Sequence, residues 1–368
     1  MKRTLFLLFA CGLLFCGCKR KTPPAGETLI EYNPAASLKM DDLFSDYRIV
    51  NLQLTDSSVM GMPRTVKIRK GILYVSDGTK LFQYAPDGTH LRTLAKRGRG
   101  PQEYYDIADF DVSDDEILIL DRNKKVTRYR QDNSFYAASH LNFFAASLHV
   151  LSDSTVLLTS ACQEPGDKFH VFDLTDLSSV ASFQPVSTAE ISYRHFMGQD
   201  NFHRYGDRLL FHEPLNNTVC EIRDDRCIPY RRLNLCGSNP PEEFWSKTYK
   251  NVRDIAVEAE KKGYAYGMPV YAENDGQMLF TFRKGNEYLL CSYAKESKKA
   301  VQSEFLSLSD SLPPVPVADI TISTSSPDCV LLTIPKQAFF TEDGKRYSHE
   351  FPDMRDDGNP AVCVAVLK

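Results

Sequence analysis

Between residues 96 and 130 the chain reads KRGRGPQEYYDIADFDVSDDEILILDRNKKVTRYR. Its apolar positions alternate with polar ones in Asp109-Phe110-Asp111-Val112 and then run together up to Asp121. A period of two belongs to strands in a sheet, not to helices. A glycine-containing turn, a short strand, an acidic turn, an apolar strand, a polar turn and a further strand ending at Tyr129 follow one another. The same order occurs earlier: Gly71-ILYVSDGTKLFQY aligns with Asp115-EILILDRNKKVTRY, placing Asp77 over Asp121 and Tyr84 over Tyr129. Weaker copies follow at Ser154-TVLLTS with Phe169-HVFD, Asp207-RLLFHEPLNNTVCEI, Gln277-MLFTFRKGNEYLLCSY and Cys329-VLLTIP. Six copies, spaced by roughly 40 to 50 residues, predict an all-β fold, a six-bladed β-propeller over residues 46–368.

Two further segments complete the plan. Tyr47-RIVNLQL reads as a strand without partners of its own, and Pro360-AVCVAVLK ends the chain as another. Residues 47–55 are therefore expected to complete the blade formed by residues 317–368, closing the ring and removing two exposed edges. Residues 239–263 break the β pattern. Asn239 as N-cap, Pro240 at the first helical position, Lys261 and Lys262 in the last turn and Gly263 after them predict an inserted α-helix. It would run about five to six turns. Trp245, Tyr249, Val252, Ile255, Ala256 and Ala259 would share its apolar face. Such a helix either lids the adjoining face or fills a gap, and the sequence supports both readings equally.

Composition narrows the partners. With 44 basic and 48 acidic residues well mixed and a formal charge of −4, no clustered positive face is offered to nucleic acid. Residues 1–18 carry Lys2 and Arg3, an apolar run from Leu5 to Phe15 and a small residue before a cysteine. The run is too short for a mature span and reads as a cleaved export signal. Cys18 is the expected lipidated residue, since Cys16 would have Phe15 where a small side chain is needed. Acyl chains alone would then hold the protein to a membrane. Residues 19–45 are expected as a tether, beginning with the polar KRKTPPAGE. Of the seven remaining cysteines, an odd number leaves at least one unpaired. Cys220 and Cys227 flank a turn and are placed to meet across a hairpin; the rest read as small buried hydrophobes.

Gly98, Gly100, Pro101, Glu103 and Tyr104 form a Gly-x-Gly-Pro-x-Glu-Tyr stretch. It resembles the entry to an NHL-type repeat, and more closely the repeats of six-bladed β-propeller lipoproteins of Bacteroides-type bacteria. That resemblance implies a fold and an address in the cell envelope, with no settled activity. The basic start of the tether lacks the acidic cluster of surface-exported lipoproteins, which implies the periplasmic side of the outer membrane.

In a propeller, the link from the outer strand of one blade to the inner strand of the next shares a face with the loop between second and third strands. This nominates a rim of Arg99, Gln102, Glu103, Tyr104, Asp121, Arg122, Asn123, Glu213, Asn216, Asn217 and Arg283. Mixed charges and amides beside aromatics suit a glycan or another polar small molecule. Structural roles compete at each position. Gly98, Gly100 and Pro101 shape a turn, since no Lys-Ser/Thr follows as a phosphate-binding loop requires. Glu103 and Tyr104 are suited to bond a neighbouring blade, and Asp77 and Asp121 to form turns. His195, His203 and His212 match no zinc spacing. Asp109, Asp111, Asp114, Asp115 and Glu116 lack the glycine and terminal glutamate of a calcium loop and read as a solvated strand and turn. No Gly-x-Ser-x-Gly nucleophile elbow occurs. The expectation is non-catalytic binding of a glycan, peptide or envelope protein, without cofactor or metal. The alternatives are a propeller hydrolase or lyase with a metal at the channel mouth, or an envelope scaffold.

Overall fold

In the computed structural model residues 26–188, 191, 201–326, 328–356 and 358–368 are described; residues 1–18 with Cys18, the tether start and His195 lie outside them. The repeated alternation becomes antiparallel sheets in chain order. Sheet 1 comprises Thr65–Arg69, Ile72–Ser76, Leu81–Tyr84 and His90–Leu94. Sheet 2 comprises Asp109–Val112, Glu116–Asp121, Lys125–Arg130 and Phe135–His140. Sheet 3 comprises Ala145–Ser152, Thr155–Ser160, Asp167–Asp173 and Ser179–Pro185. Sheet 4 comprises Phe202–Tyr205, Arg208–His212, Thr218–Arg223 and Arg226–Leu235. In sheet 5, Ala265–Tyr266 and Tyr271–Glu273 both pair with Gln277–Lys284, followed by Glu287–Ala294 and Lys299–Ser303.

Sheet 7 is closed by the beginning of the chain: Thr321–Ser323, Val330–Ile334 and Ala361–Leu367 are joined by Phe44–Asn51, antiparallel, with Ala361 opposite Asn51 and Val362 opposite Val50. Between sheets 5 and 7 in chain order lies a small sheet 6 of Leu38–Lys39, Phe305–Ser307 and Val315–Pro316. The fold is thus an all-β propeller with few helices, and it has seven sheets rather than the six expected. Strands of two and three residues carry too few positions to show an alternation, so sheet 6 leaves no mark in the sequence.

The inner strands explain how the sheets adhere. Each apolar position packs backward: Phe110 clusters with Tyr74 of sheet 1, Leu148 with Leu118 and Leu120 of sheet 2, Phe202 with Phe169 of sheet 3, and Val66 with Leu331 and Val362 of sheet 7. Intervening polar positions reach forward and accept backbone N–H groups of the next inner strand. Leu148 N donates to Asp109 Oδ2 at 2.9 Å and Val150 N to Asp111 Oδ2 at 2.8 Å. Glu273 N donates to His203 Nε2 at 2.9 Å, while Val66 N and Ile68 N donate to Ser323 Oγ and Ser326 Oγ at 3.3 and 3.1 Å. Adjacent inner strands have no ladder between them, so these side chains satisfy amides that burial would otherwise orphan.

The tether is shorter than expected. Gly26–Ile30 lies parallel on Arg226–Leu235 as a fifth strand of sheet 4, with Ile30 fully buried. Asn33 then bonds the last strand of sheet 5 through Gln302 Oε1 (2.7 Å) and Ala300 O (3.1 Å). Residues 26–43 thus cover the outer edges of three successive sheets, edges that would otherwise invite pairing.

The insertion is not one helix. A single turn, Glu242–Trp245, is followed by a break and then by Val252–Lys261. Asn251 caps the second helix, its side chain accepting from Asp254 N, whereas Asn239 bonds Leu235 N and Leu233 O at the end of sheet 4. Tyr249 sits in the break with its hydroxyl on Phe244 O at 2.8 Å, so the aromatic that continued the helical period anchors the interruption instead. Ile255 and Ala259 bury against Phe244 and Tyr266. Among the described residues no helix is long and apolar enough to cross a membrane.

Candidate functional site

The entry to sheet 2 shows what the Gly-x-Gly-Pro-x-Glu-Tyr stretch does. Gly100 N donates to Glu103 Oε2 at 2.7 Å, and a Cβ on Gly98 would overlap that carboxylate. Lys125 Nζ bonds the carbonyls of Gly100, Pro101 and Glu103, at 3.3, 3.2 and 2.6 Å. Tyr104 is fully buried, its hydroxyl on Thr79 O and Leu94 O at 3.0 and 2.9 Å, and burial raises its pKa. Asp121 is buried, accepting from Tyr105 N and, at 2.6 Å, from Asn123 N. Outward from this knot, Gln102 and Asn123 are exposed, Arg99 is exposed and lies over the Tyr105 ring at 5.8 Å, and Arg122 pairs with Asp106 at 3.2 Å.

A second group lies on the same face between sheets 4 and 5. Glu213 is buried against Lys168 of sheet 3 at 2.7 Å. Asn216 caps its own turn through Thr218 N (3.0 Å), and Asn217 is buried. The intervening Pro214 and Leu215 form one wall of a cleft of about 490 Å³. Val252, Arg253 and Ala256 of the capped helix form another wall, and Tyr266, Arg283 and Tyr288 of sheet 5 complete it. Arg283 is exposed and stacks over Tyr288 at 5.0 Å. The helix therefore roofs a cleft, which joins the two readings the sequence left open. Of the eleven rim residues, Arg283 lines this cleft, Glu213, Asn216 and Asn217 hold its wall, and the other seven form the separate group at sheets 1 and 2.

The histidines are engaged structurally. His212 Nε2 donates to Pro269 O (3.1 Å), and burial pushes its pKa down to about 4. His203 bridges Glu273 N and Thr324 O, which a tautomer with hydrogen on Nδ1 satisfies at both nitrogens. Among the described residues no three His, Cys, Asp or Glu side chains are grouped as a metal would require. Cys227 faces Cys220, whose hydrogen bond and the surrounding burial raise its pKa.

Asp109 and Asp111 correct the expectation of a solvated acidic strand. They alternate with Phe110 and Val112 as expected, but on an inner strand the polar side is the interior of the ring. Burial pushes Asp109 up to about 7, with Lys67 opposing, whereas Lys67, His149 and two backbone N–H groups hold Asp111 low despite its burial. Sequence reasoning passed over their partners Lys67 and His149. The signal was present: Thr65-Val66-Lys67-Ile68, Asp109-Phe110-Asp111-Val112 and Ser147-Leu148-His149-Val150 share one alternation, with ionisable groups at the third place.

A model of the domain of unknown function DUF4934 matches residues 29–365. No curated protein matches. Among solved structures, a putative exported protein of Bacteroides fragilis NCTC 9343 superposes with a TM-score of 0.72 at 15% identity, covering 93% of this chain and 100% of that one. U3-55K follows at a TM-score of 0.46 and 10% identity over 88% and 99% of the two chains. The Pan2 WD40 domain of Neurospora crassa gives 0.40 at 8% identity over 81% and 84%.

Proposed function

We propose that this chain, which belongs to the DUF4934 family of domains of unknown function, is an exported, non-catalytic binding protein that takes a glycan in the cleft beneath the Val252–Lys261 helix. The cleft itself carries the reading. The half-buried Tyr288, with Val252 and Ala256 beside it, offers apolar surface for the C–H face of a sugar ring, and Arg253 and Arg283 offer donors to hydroxyl or acidic groups at the edge. A cleft lined mainly by apolar side chains with a few polar groups is the usual form of a small-molecule site on a rigid scaffold. Export and lipid anchoring through Cys18, on the periplasmic side of the outer membrane, rest on the character of residues 1–21. The NHL-like reading of the repeats rests on Gly98, Gly100, Pro101, Glu103 and Tyr104.

The experiment is calorimetric titration of the full-length protein with a panel of neutral and acidic glycans. One member should bind, and Arg283→Ala and Arg253→Ala should each weaken it by about tenfold, the effect of losing one charged hydrogen bond, without lowering the melting temperature. Binding of a peptide library member in the same cleft instead would replace the glycan. Absence of any glycan binding, with a membrane protein co-purifying equally with wild type and variants, would leave the scaffold reading in its place.

A further inference from the structure

At the opposite mouth of the ring, where the first and second strands of each sheet turn, lies a cavity of about 200 Å³. The inner strands of sheets 1 to 4 and residues after the inner strand of sheet 7 enclose it. Its wall holds Lys67, Asp111, His149, Arg204, Ser325 and Ser326, contributed by five sheets. This volume falls below the usual range for drug-sized ligands, which limits an occupant to a single small ring or its equivalent.

His149 is the side chain that asks for a ligand. Its side chain is 6% exposed and its ring stacks on Phe202 at 5.0 Å, yet neither ring nitrogen has a hydrogen-bond partner. A buried polar group without a partner is costly unless something arrives to satisfy it. Nδ1 lies 3.5 Å from Asp111 Oδ2, a carboxylate that only accepts. The Asp111 charge favours the tautomer with its hydrogen on Nδ1, which leaves Nε2 with a lone pair that needs a donor, such as a hydroxyl.

Arg204 asks for the other half. Its guanidinium makes one contact, Nη2 to Leu151 O at 3.3 Å, and among the described residues it has no carboxylate within ion-pair distance. Lys67 faces Asp111 at 3.4 Å and also acts on the buried Asp109 carboxyl, which leaves Arg204 as the cation of this wall without a carboxylate partner among the described residues. At the rim, Arg69 is already paired with Asp114 at 2.7 Å, and Asp153 is exposed to water. The Arg204 guanidinium favours an anion and disfavours a metal ion or an amine. Arginine binds carboxylates through two parallel donors.

We propose that the axial cavity binds a hydroxylated monocarboxylate, a sugar acid, with its carboxylate on Arg204 and a hydroxyl donating to His149 Nε2. The site is independent of the cleft beneath the helix and stands whether or not that cleft takes a glycan.

The test is titration of the full-length protein with D-glucuronate, with D-glucose and acetate as the neutral and the hydroxyl-free controls. Glucuronate should bind saturably below about 1 mM and raise the melting temperature, and both controls should bind at least about tenfold more weakly. Arg204→Gln, at the half-buried mouth, should abolish binding with the fold intact. His149→Phe, which keeps the stack on Phe202, should weaken glucuronate by about tenfold and leave any acetate binding unchanged. Arg283→Ala, on the opposite face, should change nothing. Tighter binding of an oligouronide than of the monosaccharide would assign the ligand to a chain end, and the reverse to the free acid; either supports the site. No binding of glucuronate at about 10 mM, equal binding of acetate, or unchanged binding in a folded Arg204→Gln variant would overturn the proposal.

Discussion

Single residues on the inner strands hold this molecule together by accepting amides from the neighbouring sheet. Asp111 does most, taking Val150 N, Val112 N and the Lys67 ammonium. Asp111→Ala should lower unfolding stability in urea by about 3 kcal/mol, because it takes a counter-charge from a nearly buried ammonium. The same strands set the response to acid. Burial holds His149 and His212 at about 4, below the ordinary histidine value, so the unfolded chain binds protons first as pH falls. Stability is therefore lost between about pH 6.5 and 4, at most by about 3 kcal/mol for each histidine. Asp109 acts with the opposite sign. Its pKa of about 7 lies above the unfolded value, so the folded state gains a proton first and stability rises as pH falls from about 7 to 4. Asp109→Asn should consequently make the acid loss steeper than in wild type, measured as urea midpoints across that range. An Asp109→Asn profile flatter than wild type would contradict the assigned sign.

At the scale of elements, turns and caps decide where strands and helices stop. Gly98→Ala should cost about 2 kcal/mol, because the added methyl displaces the Glu103 carboxylate from Gly100 N. In a Glu103→Ala background the same substitution should cost much less, and additive losses would show that the carboxylate is not the obstacle. Asn251→Ala should cost about 1 kcal/mol, since one side chain caps the whole Val252–Lys261 helix. Asn239→Ala should leave that helix in place, because Asn239 serves the end of sheet 4. These contrasts mark what the sequence could reveal. Alternation identified the second and third strands of the six larger sheets, and the offset of Asp77 to Asp121 reported a real repeat. The helix break was invisible because Tyr249 keeps the helical period while packing outside any helix. The burial of Asp109 and Asp111 was invisible for another reason. An alternating acidic strand looks the same whether its polar side meets water or the next blade, and only closure of the ring decides which.

For the whole molecule, the decisive feature is that a strand from the early part of the chain closes the last sheet. Phe44–Asn51 pairs with Ala361–Leu367, and the join is fitted closely enough that a Cβ on Gly88 of sheet 1 would overlap the Asn51 carbonyl. A ring closed this way has few free edges and presents both mouths on a fixed frame, which is what a cleft at one end and a cavity at the other require for selective binding. Native-state hydrogen exchange resolved by segment tests this most directly. Amides of residues 44–51 should exchange only through global unfolding, in step with those of residues 361–367 and the inner strands. Exchange of residues 44–51 within seconds, while the inner strands stay protected, would mean that the ring is held without them and that its frame is open.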